Sequence, residues 1–130
     1  MNNQDLVFLS ATELASKIRE KQISPVEVVK AYLNRITVVD PKLNAYITVL
    51  ADEALVAAHE AETDITSGLN KGPLHGVPVG VKDQIHTKGI RTSSASRIRS
   101  DFVPDVDAAV VSGLRKSGAI ILGKLNMTEF

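Results

Sequence analysis

The amino-acid sequence predicts an α/β fold, with N-terminal helices followed by part of a mixed, mostly parallel sheet containing a βαβ crossover. Three observations predict it. Two capped amphipathic segments fill residues 10–40, where apolar positions recur at helical spacing. Two short β-rich runs, Val77–Lys82 and Ala119–Gly123, flank a helical pattern. Strand, helix and strand over 77–123 form the unit that links parallel neighbours through a right-handed crossover.

The first helix opens at Ser10-Ala11-Thr12-Glu13, a capping box with Ser10 at the N-cap. Ala11, Leu14, Ala15 and Ile18 form its apolar stripe. A second box stands at Ser24-Pro25-Val26-Glu27, with Pro25 at the first helical position, which tolerates it. Val28, Val29, Tyr32, Leu33 and Ile36 continue that helix, and Asp40-Pro41 is expected to stop it. Ala45–Leu50 reads as a strand, and residues 52–66 as a helix. That helix turns Ala54, Leu55, Ala58, Ala61 and Ile65 inward and Asp52, Glu53, Glu60 and Glu62 to water. A turn-rich link covers 68–76. A further helix is expected from about Asp107 to Ser117, with Val110, Val111 and Leu114 inward. Asn126-Met127-Thr128-Glu129 carries a helix-opening pattern just before Phe130, so the chain reads as the N-terminal portion of a longer fold.

Composition narrows the function. Fifteen basic residues balance fifteen acidic ones and aromatics are 4%, which argues against a dedicated nucleic-acid module. Cysteine is absent, which excludes disulfides, thiolate metal sites and a cysteine nucleophile. No apolar run approaches the roughly 20 residues of a membrane span. Residues 1–5 lack the basic start of a secretory signal, so a soluble, cytoplasmic protein is expected. His59, His75 and His86 show no metal-ligand spacing and read as ordinary helix or loop residues. Lys88, Arg91, Arg97 and Arg99 form a basic loop read as solvated, because it lacks aromatic partners.

The segment most open to chemistry is Gly76-Val77-Pro78-Val79-Gly80-Val81-Lys82-Asp83. At period 2 the three valines share one face, while Pro78, Gly80 and Lys82 share the other, nearly bare one. A lysine ending an apolar strand is expected to be partly desolvated, which favours the neutral amine that a general base needs. Spacing alone favours a strand-end lysine that reaches solvent or pairs with Asp83.

Leu74-His75-Gly76-Val77-Pro78-Val79-Gly80-Val81-Lys82-Asp83, followed by Thr87-Lys88-Gly89-Ile90-Arg91-Thr92, resembles the N-terminal part of amidase-signature enzymes. Phe102-Val103-Pro104-Asp105, Asp107-Ala108 and the run from Gly118 to Phe130 are similar to the same family. The resemblance extends from about Leu43 to the end and implies an incomplete amidase-signature fold. It implies one domain, helical over 1–40 and α/β over 43–130, truncated after its N-terminal portion. Enzymes of that family use a nucleophilic serine, a second serine in a cis peptide arrangement, and a lysine; Lys82 matches the lysine. The implied chemistry is amide hydrolysis through an acyl-enzyme, with no metal or organic cofactor. The implied substrate is a small-molecule amide of the intact protein, with no membrane and no direct nucleic-acid contact.

Both family serines belong to a loop downstream of residue 130, so this piece is expected to be inactive. Ser93, Ser94 and Ser96 read instead as a hydroxyl-rich turn making local backbone hydrogen bonds. Gln84 stands where relatives often carry Asn, a departure confined to loop hydrogen bonding. The A subunit of glutamine-dependent tRNA amidotransferases shares the motifs, and that resemblance implies a partner protein. A third expectation, from another class, is a non-catalytic binding or scaffold remnant of the fold.

Overall fold

A computed structural model describes residues 2–130. Its elements are α1 (Asn3–Leu6), α2 (Ala11–Arg19), α3 (Pro25–Leu43), β1 (Tyr46–Val49), α4 (Ala51–Thr66), β2 (Pro78–Lys82), α5 (Ala109–Lys116) and β3 (Ile120–Leu125). A 3₁₀ turn, Arg97–Arg99, lies within the long irregular stretch between β2 and α5. Met1 lies outside the described residues.

Both capping boxes form. The Ser10 side chain accepts from Glu13 N, the Ser24 side chain accepts from Val26 N, and each Glu reaches back to its cap's backbone. Capped in this way, α2 buries Leu14, Ala15 and Ile18, while Ala11 stays exposed, contrary to the expected stripe. The first turn of α2 lies outside that contact. The four-residue α1, capped by Asn2, is too short to carry a periodic signature that would predict it. Helix α3 runs through Pro41 rather than stopping at it. A proline there removes one N–H bond and crowds the carbonyl of Thr37, a cost confined to the last turn of the helix. The end is closed by Asn44 in the left-handed region, whose N–H donates to Asp40 O, while Asp40 Oδ1 accepts from Ala45 N.

The sheet has the order β1-β3-β2, with β2 and β3 parallel and β1 and β3 antiparallel. This is the mixed α/β architecture that the strand-helix-strand pattern predicts. Strand β3 is central and buried on both faces. Ile120 and Leu122 pack against Val26 and Val29 of α3 and Ala54, Ala58 and Ala61 of α4. Ile121 packs on the other face with Leu50, Val81 and Val111. Each such fully buried aliphatic side chain contributes about 1.5–3 kcal/mol. A third cluster, Leu14, Ile18 and Val28, docks α2 onto α3. Helix α5 is shorter than predicted and turns only Val111 fully inward; Val110 is 55% exposed.

Two irregularities of β3 shape its C-terminal end. Val79 pairs with Ile121 but Gly80 with Gly123, so β3 carries one extra residue at Leu122. Such a bulge reverses side-chain parity along the strand. Lys124, which strict alternation would group with Ile120 and Leu122, therefore lies opposite Val81 and shares the face of Ile121. The second irregularity is at Gly123, where a Cβ would collide with the Thr48 carbonyl oxygen. Only glycine lets β1 come so close there.

Residues 126–130 are not helical. Asn126 caps no helix: its Oδ1 accepts from Met127 N and its side-chain amide donates to Asn44 O, while Glu129 accepts from Ser96. The cap oxygen is taken by its own neighbour and the Glu129 carboxylate by Ser96, so the capping pattern does not close.

Candidate active site

Strand β2 ends at Lys82, which the structure leaves exposed at the edge of the sheet. The bare face expected around it is partly filled, since a Cβ on Gly80 would meet Leu125 at 3.0 Å. The expected desolvation is not met within these residues, and the expected pairing with Asp83 is not made. Alternation turns Asp83 to the opposite face from Lys82. There Asp83 lies 3.9 Å from the ammonium of Lys124.

Lys124 is the buried polar residue beside the candidate site that periodicity misses. It is completely buried, and its Nζ donates to Ile85 O and to Thr92 Oγ1, each at 2.8 Å. Burial lowers its pKa, partly offset by the carboxylate of Asp83. Asp83 is equally buried. Its Oδ2 accepts from the backbone N–H of Ser93 at 3.0 Å and from the Ser93 hydroxyl. Its backbone is fixed as well: N donates to Leu125 O, and O accepts from Ser94 N. Of the Asp83 carboxylate, only Oδ1 lacks a hydrogen bond, and it is the oxygen that faces Lys124.

The serine segment is built differently from a locally bonded turn. Ser96 Oγ accepts from Ile98 N, which is local, but also donates to Glu129. Ser93 serves the carboxylate of Asp83, ten residues earlier in the chain. Ser94 and Ala95 both have φ of 53°, a conformation non-glycine residues seldom adopt. The backbone there is held by Ser94 N on Asp83 O and by Phe130 N on Ser94 O.

In the basic loop, Lys88, Arg91 and Arg97 are exposed, as the solvated reading requires. Arg99 departs from it, since its guanidinium lies 4.3 Å from the Phe102 ring centroid, and that ring also meets His86 at 5.2 Å. Phe102 stands just beyond the last of the basic residues, where the loop folds back on itself to supply the aromatic partner. His75 is buried, with its Nδ1 accepting from Lys71 N.

Against this geometry, a family model described as Amidase matches residues 27–130. The chain belongs to that family. Within it, the chain is 46% identical over 126 residues to the glutamyl-tRNA(Gln) amidotransferase A subunit of Carboxydothermus hydrogenoformans, covering 97% of this chain and 26% of the relative. It is 46% identical over 121 residues to a putative amidase AmiD of Mycobacterium bovis, covering 93% of this chain and 26% of that protein. Among solved structures, the native peptide amidase of Stenotrophomonas maltophilia superposes with a TM-score of 0.87 at 35% identity, over 94% of this chain and 25% of that one. A fatty acid amide hydrolase does so with a TM-score of 0.91 at 32% identity, over 96% and 22%. This amidase-family chain thus spans about a quarter of the length of the curated relatives it matches. No described helix is long and apolar enough to cross a membrane.

Proposed function

We propose that residues 1–130 are the N-terminal portion of a single amidase domain, helical over 1–40 and α/β over 43–130. Its intact form cleaves amide C–N bonds by a serine–cis-serine–lysine mechanism, with Lys82 as the base. The observation that carries this reading is the amidase-family match across residues 27–130, which includes Lys82 at the end of β2, on a backbone held by the buried groups behind it. Covering that amine with a serine-bearing segment removes it from water, which favours its neutral form. The neutral amine then draws a proton from the bridging serine, and that serine draws one from the nucleophile as it attacks the carbonyl carbon. Ammonia or an amine leaves, and water releases the acid from the acyl-enzyme. No metal or organic cofactor enters these steps.

By this reading residues 1–130 alone are inactive, because the nucleophile and the oxyanion donors come from elsewhere. The exposed Ile98, Leu43 and Val106 are consistent with apolar surface awaiting a cover. A cytoplasmic setting belongs to the proposal and is supported by a sequence without cysteine. The test is ammonia release from a simple carboxamide by the full-length protein, with and without Lys82→Ala. Turnover by the purified 130-residue chain that Lys82→Ala abolishes would overturn the inactivity claim.

A second reading is favoured by a specific observation: 46–49% identity to three amidotransferase A subunits over 97% of this chain. In that case the same chemistry frees ammonia from glutamine for a partner subunit. Glutaminase activity that requires both a partner and charged tRNA distinguishes it from a free-standing amidase.

A further inference from the structure

The buried groups behind Lys82 form a compact device that the proposed reaction does not itself use. Lys124 sits at the centre. Its ammonium holds Ile85 O, on the arm leaving β2, and Thr92 Oγ1, on the arm returning. Asp83 holds the same two arms together from the other side, through Ser93 N, Ser93 Oγ and the bond from Ser94 N to Asp83 O. Both side chains are entirely shielded from solvent.

Net stability is a weak reason for such a pair. Removing two charges from water costs about what their attraction returns, and well-packed apolar residues often hold a fold equally well. What the pair supplies is direction. The ammonium has donors aimed at fixed points on both arms, and the carboxylate accepts along fixed lines from Ser93. The peptide unit joining Lys82 to Asp83 lies between these anchors and the sheet, where Asp83 N bonds Leu125 O. Lys82 is thereby attached to a backbone with little freedom, while its own side chain remains exposed.

We propose that Asp83 and Lys124 are positioning residues for Lys82, fixing where its amine enters the active site without touching substrate themselves. This rests on the reading of Lys82 as the base. The pair acts on geometry at one residue, so its effect must vanish once the Lys82 amine is gone.

The experiment measures ammonia release from glutamine and from benzamide by the full-length protein, with its partner subunits where turnover requires them. Lys124→Met, Asp83→Asn and the double variant are made in parent and Lys82→Ala backgrounds, with folding checked by circular dichroism. Expected is a fall in kcat of about 10²-fold for Lys124→Met, the loss that a displacement on the ångström scale produces, with KM nearly unchanged. In the Lys82→Ala background the residual rate changes by less than about twofold. An equal loss in both backgrounds, or full turnover by the folded double variant, overturns the positioning role while leaving Lys82 as the base. Full turnover by Lys82→Ala removes the base reading, and the proposal with it. Should Lys124→Met not fold, Thr92→Val removes one of the two ammonium bonds and keeps the ion pair. Its kcat is expected to fall about tenfold in the parent and not in the Lys82→Ala background.

Discussion

Lys82 ends β2 and Lys124 stands one residue before the end of the neighbouring parallel β3, one ladder step apart: Lys82 pairs with Leu125, and Val81 with Lys124. They have the same chemistry and opposite circumstances. Lys82 ends an edge strand and is exposed; Lys124 lies in the central strand and has no exposed surface. The buried one has its amine committed to Ile85, Thr92 and Asp83. A lysine with fixed partners on three sides is poorly suited to moving protons, whereas an exposed amine on a rigid strand is available for a substrate-side partner. Lys82 is left free to meet a covering segment, whose exclusion of water would favour the neutral amine, while Lys124 has its donors committed to support.

Exchanging the two roles is the sharpest way to break that comparison. Lys82→Ala should leave the unfolding free energy within about 0.5 kcal/mol of the parent, as surface substitutions do. The same variant should lower amide turnover of the full-length protein by about 10²–10⁴-fold, the range a general base contributes. Lys124→Met should do the reverse in stability. Leaving Asp83 buried without its partner is expected to cost about 3–5 kcal/mol in urea unfolding. If Lys82→Ala destabilised the fold as strongly as Lys124→Met, the distinction between the two strand ends would be lost.

A smaller effect sharpens the support side alone. Ser93→Ala removes the hydroxyl bond to Asp83 Oδ2 and leaves the backbone N–H in place. Loss of one hydrogen bond to a charged acceptor should cost about 1.5–3 kcal/mol in the same unfolding measurement. A neutral result would mean that the hydroxyl, unlike the backbone N–H, contributes nothing to holding the carboxylate.

The helical layer is readable in the sequence because its signals are local. Ser10 with Glu13 and Ser24 with Glu27 are three residues apart, and their hydrogen bonds are decided at that distance. The amidase family is readable in the motif around Lys82, whereas the environment of Lys82 is not. The Lys124 cluster is not readable, for two physical reasons. The bulge at Leu122 inverts the parity by which a strand's faces are assigned, so periodicity sends Lys124 to the wrong side. Its partners, Ile85 and Thr92, lie 39 and 32 residues away, where no spacing rule reaches. Pro41 fails as a stop signal for a related reason. Asp40 closes the helix through its own side chain and carbonyl, and that closure tolerates a proline one residue on.

His75 offers the mildest test, because it is a buried titratable group that supports packing rather than the site. Its Nδ1 accepts from Lys71 N at 3.2 Å, which requires the proton of the neutral ring to sit on Nε2. That Nε2 is buried without a hydrogen bond, 3.8 Å from Asp64 Oδ2, and Asp64 is also engaged by Lys71 Nζ at 3.1 Å. Burial lowers the His75 pKa from its ordinary value of 6.5, the Lys71 charge lowers it further, and Asp64 opposes both. Below 6.5 the unfolded chain therefore binds a proton before the folded one does, and stability falls as the pH drops until the folded pKa is passed. Protonation would also break the bond from Lys71 N, which acts in the same direction. The urea midpoint is expected to decline between about pH 7 and pH 5, above the range where ordinary carboxylates titrate. In His75→Gln, which cannot titrate, that decline should flatten even though the variant starts from lower stability. A parent midpoint that stays level across this interval would show that the ring accepts its proton without cost, and that Asp64 rather than burial governs it.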